Sequence, residues 1–171
     1  MIDHSETALT AVIKSLQDVV APAVDTADPV AQEQLALAVG TLSFLRARLS
    51  DLHARERAQL RRAVALGREI AMAVGDAAGR LGDSAEAGER LLTTAGAADE
   101  QLRAVEASIH ADVRALLRSG LSNEDTRAVE RAVLRNTAER IDFERSWYLP
   151  MGFDPDPASV SGLEELLAAE H

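Results

Sequence analysis

The chain has 171 residues, 28 of them Asp or Glu against 18 Lys or Arg, for a formal net charge of −10, and it contains no Cys. That length can bury a substantial core within one domain. The acidity disfavours nucleic acid and anionic membranes as partners, and the absence of Cys excludes disulfides, thiolate metal sites and thiol nucleophiles. No stretch approaches the roughly 20 apolar residues of a membrane span. The acidic start Ile2-Asp3-His4-Ser5-Glu6 lacks the basic and apolar regions of a signal peptide, so the sequence reads as cytoplasmic.

Alanine, leucine, arginine and glutamate, all strong helix formers, are abundant. Aromatics make up only 3% of the chain, and Val and Ile recur at helical spacing instead of alternating as in strands. The expected fold class is all-α, an antiparallel helical bundle of four to five main helices plus a short C-terminal helix. Residues 1–149 are expected to form the bundle. Residues 150–171 form an aromatic, Pro-containing segment and a short helix that dock on the bundle or on a partner.

In chain order, Leu9, Val12, Ile13, Leu16, Val19 and Val20 mark one face of a helix over about 5–22. Asp28 and Pro29 supply an N-cap and a first-turn proline for a second helix. Its seam runs Leu35, Ala38, Leu42, Leu45, Leu49, Leu52, Glu56, Leu60, Ala63, Gly67, Ile70, Val74. Unbroken, it would span roughly 65–70 Å at the ordinary helical rise. A bend near Gly40 or Gly67, or a stop before Gly75, is therefore expected. Residues 75–83 hold three glycines and read as a loop, and Asp83 with Glu86 has capping-box spacing for a short helix ending near Leu92. A helix over about 98–118 points Leu102, Val105, Ile109, Val113 and Leu116 inward and stops at Ser119-Gly120. Ser122 or Asn123 caps a helix over about 124–148 that Pro150 ends. After an irregular stretch, Ser161 and Glu164 open a last short helix carrying Leu163, Leu166 and Leu167.

The stretch Val19-Val20-Ala21-Pro22-Ala23-Val24, followed by Asp28-Pro29-Val30-Ala31-Gln32-Glu33-Gln34-Leu35, resembles uncharacterised bacterial helical proteins. These are associated with gene neighbourhoods of acyl-CoA dehydrogenases and aminoglycoside-phosphotransferase-like kinases. The likeness covers about the first third of the chain. It implies an accessory role and carries no functional residue across.

Polar residues interrupt three apolar seams near mid-helix: Glu56, then Glu106 with His110, then Asn136 with Arg140. In an antiparallel bundle these five could share a layer, either as structural ion pairs or as a site for a small anionic ligand anchored by Arg140; alternatively, supercoiling or a bent helix turns them to the surface. A hydrogen bond from Arg140 to Glu56 or Glu106 is the specific expectation. Glu86-x-x-Glu89 and Glu139-x-x-Asp142 resemble the paired acidic motifs of all-α nucleotide pyrophosphohydrolases, without the fuller pattern that magnesium binding requires. No catalytic motif, metal site or cofactor is expected. Arg46, Arg57, Arg61 and Arg68 border one side of the second seam, and Arg48, Arg55 and Arg62 the other. Such rows can bind phosphates or meet carboxylates on neighbouring helices.

Four of the five aromatics, Phe143, Trp147, Tyr148 and Phe153, cluster near the C-terminus with Met151. A structureless tail should be polar, so this segment, with Leu163, Leu166 and Leu167, is expected to dock either on its own chain or on a second subunit. The leading expectation is a non-enzymatic accessory, assembly or oligomerisation module. It would form a homodimer with this segment in the contact, and another protein partner is a further option. An anionic-ligand-binding bundle is the alternative, and a metal-dependent nucleotide hydrolase the third.

Overall fold

The structure, a computed structural model, describes residues 4–168, and these contain helices and turns but no strand. α1 (Ser5–Ser15) continues into a π turn (Leu16–Val20) and a 3-10 turn (Ala21–Ala23). α2 (Pro29–Arg48), α3 (Leu52–Val74), α4 (Leu81–Thr93), α5 (Asp99–Arg118), α6 (Asn123–Tyr148) and α7 (Leu163–Ala168) follow. The all-α expectation holds. No described helix is long and apolar enough to cross a membrane.

Local chemistry sets several of these ends. Asp28 Oδ1 accepts from the amides of Val30 (3.1 Å) and Ala31 (3.0 Å), two donors that lack partners within the helix. Ser122 Oγ does the same for Asp125 N at 3.1 Å. Gly120 follows α5 at φ 81°, a left-handed turn that a side chain would strain.

The expected stop before Gly75 is present, α3 ending at Val74, but two other expectations are corrected. Helical structure runs through Gly40 and Gly67, and the long second helix is interrupted at neither. It breaks at a 3-10 turn, Leu49–Asp51, entered through Arg48 at φ −108° and ψ −3°. Ser50 and Asp51 occupy that turn and bond to each other at 3.2 Å, in keeping with short polar side chains that compete with helical geometry. Gly67 stays helical because it serves packing: a Cβ there would lie 3.2 Å from Ala85 Cβ and 3.3 Å from Ile109 Cγ2. α4 begins at Leu81, not at Asp83, with no side-chain cap. Burial of Leu81 anchors the earlier start, and Asp83 falls inside the first turn, where its charge suits the positive helix end.

Contacts group into two compact units, one formed by residues up to Leu52 with Trp147–Ser159, the other by His53–Ser146 with residues from Val160 onward. In the first unit α2 folds back on α1. Arg46 Nη1 reaches Thr10 Oγ1 at 3.5 Å near one end, while Gln17 shares a groove with Leu35, Ala36 and Val39 near the other. Its buried apolar residues are Ile13, Phe44 and Trp147. The second unit holds the main core, with Leu60, Val64, Leu66, Ile70, Leu81, Leu102, Ile109, Val113, Leu116 and Val129 buried together. Contacts between α3 and α4 run in opposite chain order, Arg57 with Leu92 and Arg68 with Glu89. Contacts between α3 and α6 also run in opposite order, Arg55 with Glu144 and Glu69 with Arg135. Those between α3 and α5 run in the same order, His53 with Asp99 and Glu56 with Arg103.

Candidate functional site

The five polar residues singled out in the seams do not converge. Glu56 Oε1 accepts from Arg103 Nη1 of α5 at 3.1 Å, and its Oε2 is buried without a partner among the described residues. Glu106 pairs with His110, one turn along α5, at 3.7 Å. Asn136 donates from Nδ2 to Arg62 O of α3 at 3.2 Å. Arg140 is exposed and makes no hydrogen bond or ion pair with Glu56 or Glu106, so the expected bond is absent. A long arginine at the edge of a buried arc can reach out to water while its stem covers apolar surface.

A polar layer does exist between α3 and α6, built by neighbouring residues. Arg55 Nη2 lies 3.1 and 3.0 Å from the two oxygens of Glu144, and Gln59 Nε2 donates to the same carboxylate at 3.4 Å. Arg62 lies 4.0 Å over the ring of Phe143, a cation–π contact in a mostly buried setting. Arg55, Gln59 and Arg62 of α3 thus each meet a partner on α6, as a structural layer requires. Two of the border arginines meet carboxylates on neighbouring helices, as coiled-coil flanks do: Arg55 meets Glu144, and Arg68 meets Glu89. Sequence reasoning passed over Gln59 and Glu144. Glu144 lies 11 residues beyond Val133, nearly above it on the same helix face, and that spacing was the available signal.

The carboxylates of the paired acidic motifs are not gathered. Glu86 bonds Arg90 on its own helix and Glu89 pairs with Arg68. Among the described residues no group of three His, Asp or Glu side chains is placed to hold a metal ion.

The aromatic segment docks in part on its own chain. Trp147 packs edge-on against Phe44 of α2, ring centroids 6.5 Å apart, and Tyr148 stacks on the same ring at 5.3 Å. Arg48 fastens the contact, donating from Nε to Trp147 O at 2.9 Å with its guanidinium 5.4 Å from the indole centroid. Burial lowers the pKa of Arg48 from its ordinary value and the nearby Asp51 charge opposes that shift, but a guanidinium stays protonated throughout the physiological range. Phe143 and Trp147 are thus committed to the interior, whereas Tyr148 is 49% and Phe153 72% exposed. Met151, Leu163, Leu166 and Leu167 are half-buried.

α2 presents the most unusual surface. Between Asp28 and Arg46 it carries a single charged side chain, Glu33, in a chain that is 27% charged. Leu35 and Val39 point to the α1 side. On the opposite side Val30 (65% exposed) and Leu37 (42%) stand in the open beside Glu33, and Leu45 (45%) is exposed on the flank. Val30, Leu37 and Phe44 recur every seven residues, with Gln34 and Thr41 between them, and Tyr148 stacked on Phe44 extends the row. On the α1 side, an apolar groove of about 390 Å³ opens beside the π turn, lined by Gln17, Pro22, Val24, Leu35 and Val39 among others. Comparison of the chain with protein-family models, curated proteins and solved structures gives no match.

Proposed function

We propose that this protein is a cytoplasmic, non-enzymatic assembly module that pairs with a second copy of itself through the outer face of α2. In this reading His53–Ser146 is an up-down-up-down four-helix bundle, and the α1–α2 pair is the docking element. The sparsely charged face on which Val30 and Leu37 stand exposed seven residues apart, with Glu33 as its one charged side chain, carries the proposal. Two copies each bearing a charge of −10 repel, so their contact favours the surface with the fewest charges, and α2, with Glu33 alone between Asp28 and Arg46, is such a place. Charge depletion with apolar and aromatic enrichment is also the compositional mark of interface centres. Exposed Tyr148, stacked on Phe44, extends the patch and gives the C-terminal segment its part in the contact. The accessory role implied by the resemblance to bacterial helical proteins agrees with this reading.

Sedimentation equilibrium on the full chain tests it. The native protein is expected to run as a dimer at micromolar concentration. Leu37→Glu, placing a charge at the centre of the face, is expected to give a monomer of unchanged helicity. A native chain that stays monomeric at several hundred micromolar would refute the proposal.

A further inference from the structure

The α1–α2 pair has two sides of different chemistry. The groove lined by Gln17 of the π turn and by Gln32 and Ala36 of α2 marks one of them. At roughly 100° per residue, Val12 leaves α1 about 140° round from Gln17, while Ala38 and Leu45 leave α2 about 160–180° round from Ala36. These three residues therefore belong to the other side. Leu16 stands one turn beyond Val12. The π turn, in which Ala21 N–H bonds Leu16 O, is wide enough to bring Val20 nearly in line with Leu16.

That other side is uncharged. Between Thr7 and Arg46 the only charged residues are Lys14, Asp18, Asp25, Asp28 and Glu33. Asp25 and Asp28 lie in the connection between the helices. Lys14 and Asp18 leave α1 about 120° or more from Val12, and Glu33 leaves α2 about 120° from Leu45. Val12 (47% exposed) and Val20 (39%) stand open there with Leu45. Leu45 lies only about 60° round α2 from Val30, so this side adjoins the outer face that carries the proposed pairing.

The area that a stable contact needs points to the occupant. Since α2 has 20 residues, its outer face is a strip about 30 Å long and about 10 Å wide, or about 300 Å² per copy. That is well below the roughly 800 Å² per partner of a standard interface. Adding the flank of α1 doubles the strip and gives about 1,200 Å² over two copies, where specific interfaces begin.

We infer that the second copy lies across both helices, so that two α1–α2 pairs close an intermolecular four-helix bundle around Val12, Leu16 and Val20 of α1 and Ala38 and Leu45 of α2. The inference rests on pairing through α2 and adds α1 to it. Apolar residues every three to four positions on both helices supply the stripe that a bundle buries. An uncharged apolar side is complementary to itself about a two-fold axis, and it is where a copy of the same charge is least repelled.

Isotope-filtered NMR on a mixture of methyl-labelled and unlabelled full-length chains tests this without any substitution. Intermolecular contacts are expected to the methyl groups of Val12 and Val20 as well as to those of Leu37. In sedimentation equilibrium Val12→Glu is expected to weaken the dimer by about tenfold or more, because the new charge is buried without a partner. Gln17→Glu places the same charge on the groove side of α1 and is expected to leave Kd within about twofold. A native dimer with contacts to Leu37 and none to Val12 or Val20 would overturn the inference and leave pairing through α2 intact. Equal weakening by Val12→Glu and Gln17→Glu would overturn it as an effect of net charge alone. A native chain that stays monomeric would remove both.

Discussion

Gly88 of α4 sits so close to α3 that a Cβ built on it would lie 2.4 Å from Val64 Cγ2 and 3.4 Å from Leu60 Cδ1. Both neighbours belong to the buried core, so neither has free space to move into. Gly88→Ala is therefore expected to destabilise the protein by about 1–3 kcal/mol, the usual cost of overpacking. Gly40 is the contrasting case. It lies inside α2 with nothing within 4 Å of a built Cβ, and Gly40→Ala is expected to stabilise by up to about 1 kcal/mol. Urea denaturation of the two variants checks both signs; equal midpoints would mean that α4 does not approach α3 this closely. The sequence marks both residues simply as glycines within helical patterns. Which one is a contact and which an idle position depends on a facing helix, and a single helix's periodicity carries no information about that.

The same limit explains the polar layer. A helical wheel fixes the direction in which a side chain leaves its own helix. It does not say which neighbour stands opposite. Arg140 and Glu144 lie one turn apart on α6, yet Glu144 meets Arg55 and Gln59 while Arg140 is exposed. A double-mutant cycle between Arg55 and Glu144 is expected to give a coupling of about 1 kcal/mol, the upper part of the range for pairs that keep some solvent. Arg140→Ala is expected to change stability by no more than about 0.5 kcal/mol. A large loss from Arg140→Ala with no coupling between Arg55 and Glu144 would restore the layer that the seams alone suggest. Helix ends were legible wherever their own residues set them, as at Asp28, Ser122 and Gly120. They were misjudged where packing set them, as at Leu81, or where a short polar turn interrupts an otherwise continuous seam, as at Leu49–Asp51.

For the whole chain, the all-α class was legible because it sums many weak preferences along the sequence, whereas the unequal distribution of core is a property of the folded chain. The unit holding α1 and α2 buries few large apolar side chains and leaves Val12, Val19, Val30, Leu37 and Leu45 in solvent, while the unit holding Leu60, Ile70, Leu102 and Ile109 buries each of these completely. Local opening free energy follows buried apolar contact. Amides around Leu60, Ile70, Leu102 and Ile109 are therefore expected to exchange hydrogen most slowly, and those of α1 and α2 far faster in dilute protein. Pairing through α2 adds a second expectation, because a partner that binds only the folded α1–α2 pair stabilises it by mass action. Protection of α2 should rise as protein concentration passes through the dimer dissociation constant, while protection around Ile70 and Ile109 stays constant. Hydrogen-exchange mass spectrometry at two concentrations a hundredfold apart separates the cases. Fast exchange in α2 at both concentrations would leave its apolar face without a second copy to cover it. Slow exchange at both would mean that the α1–α2 pair is stable alone, and that its exposed leucines need no partner for folding.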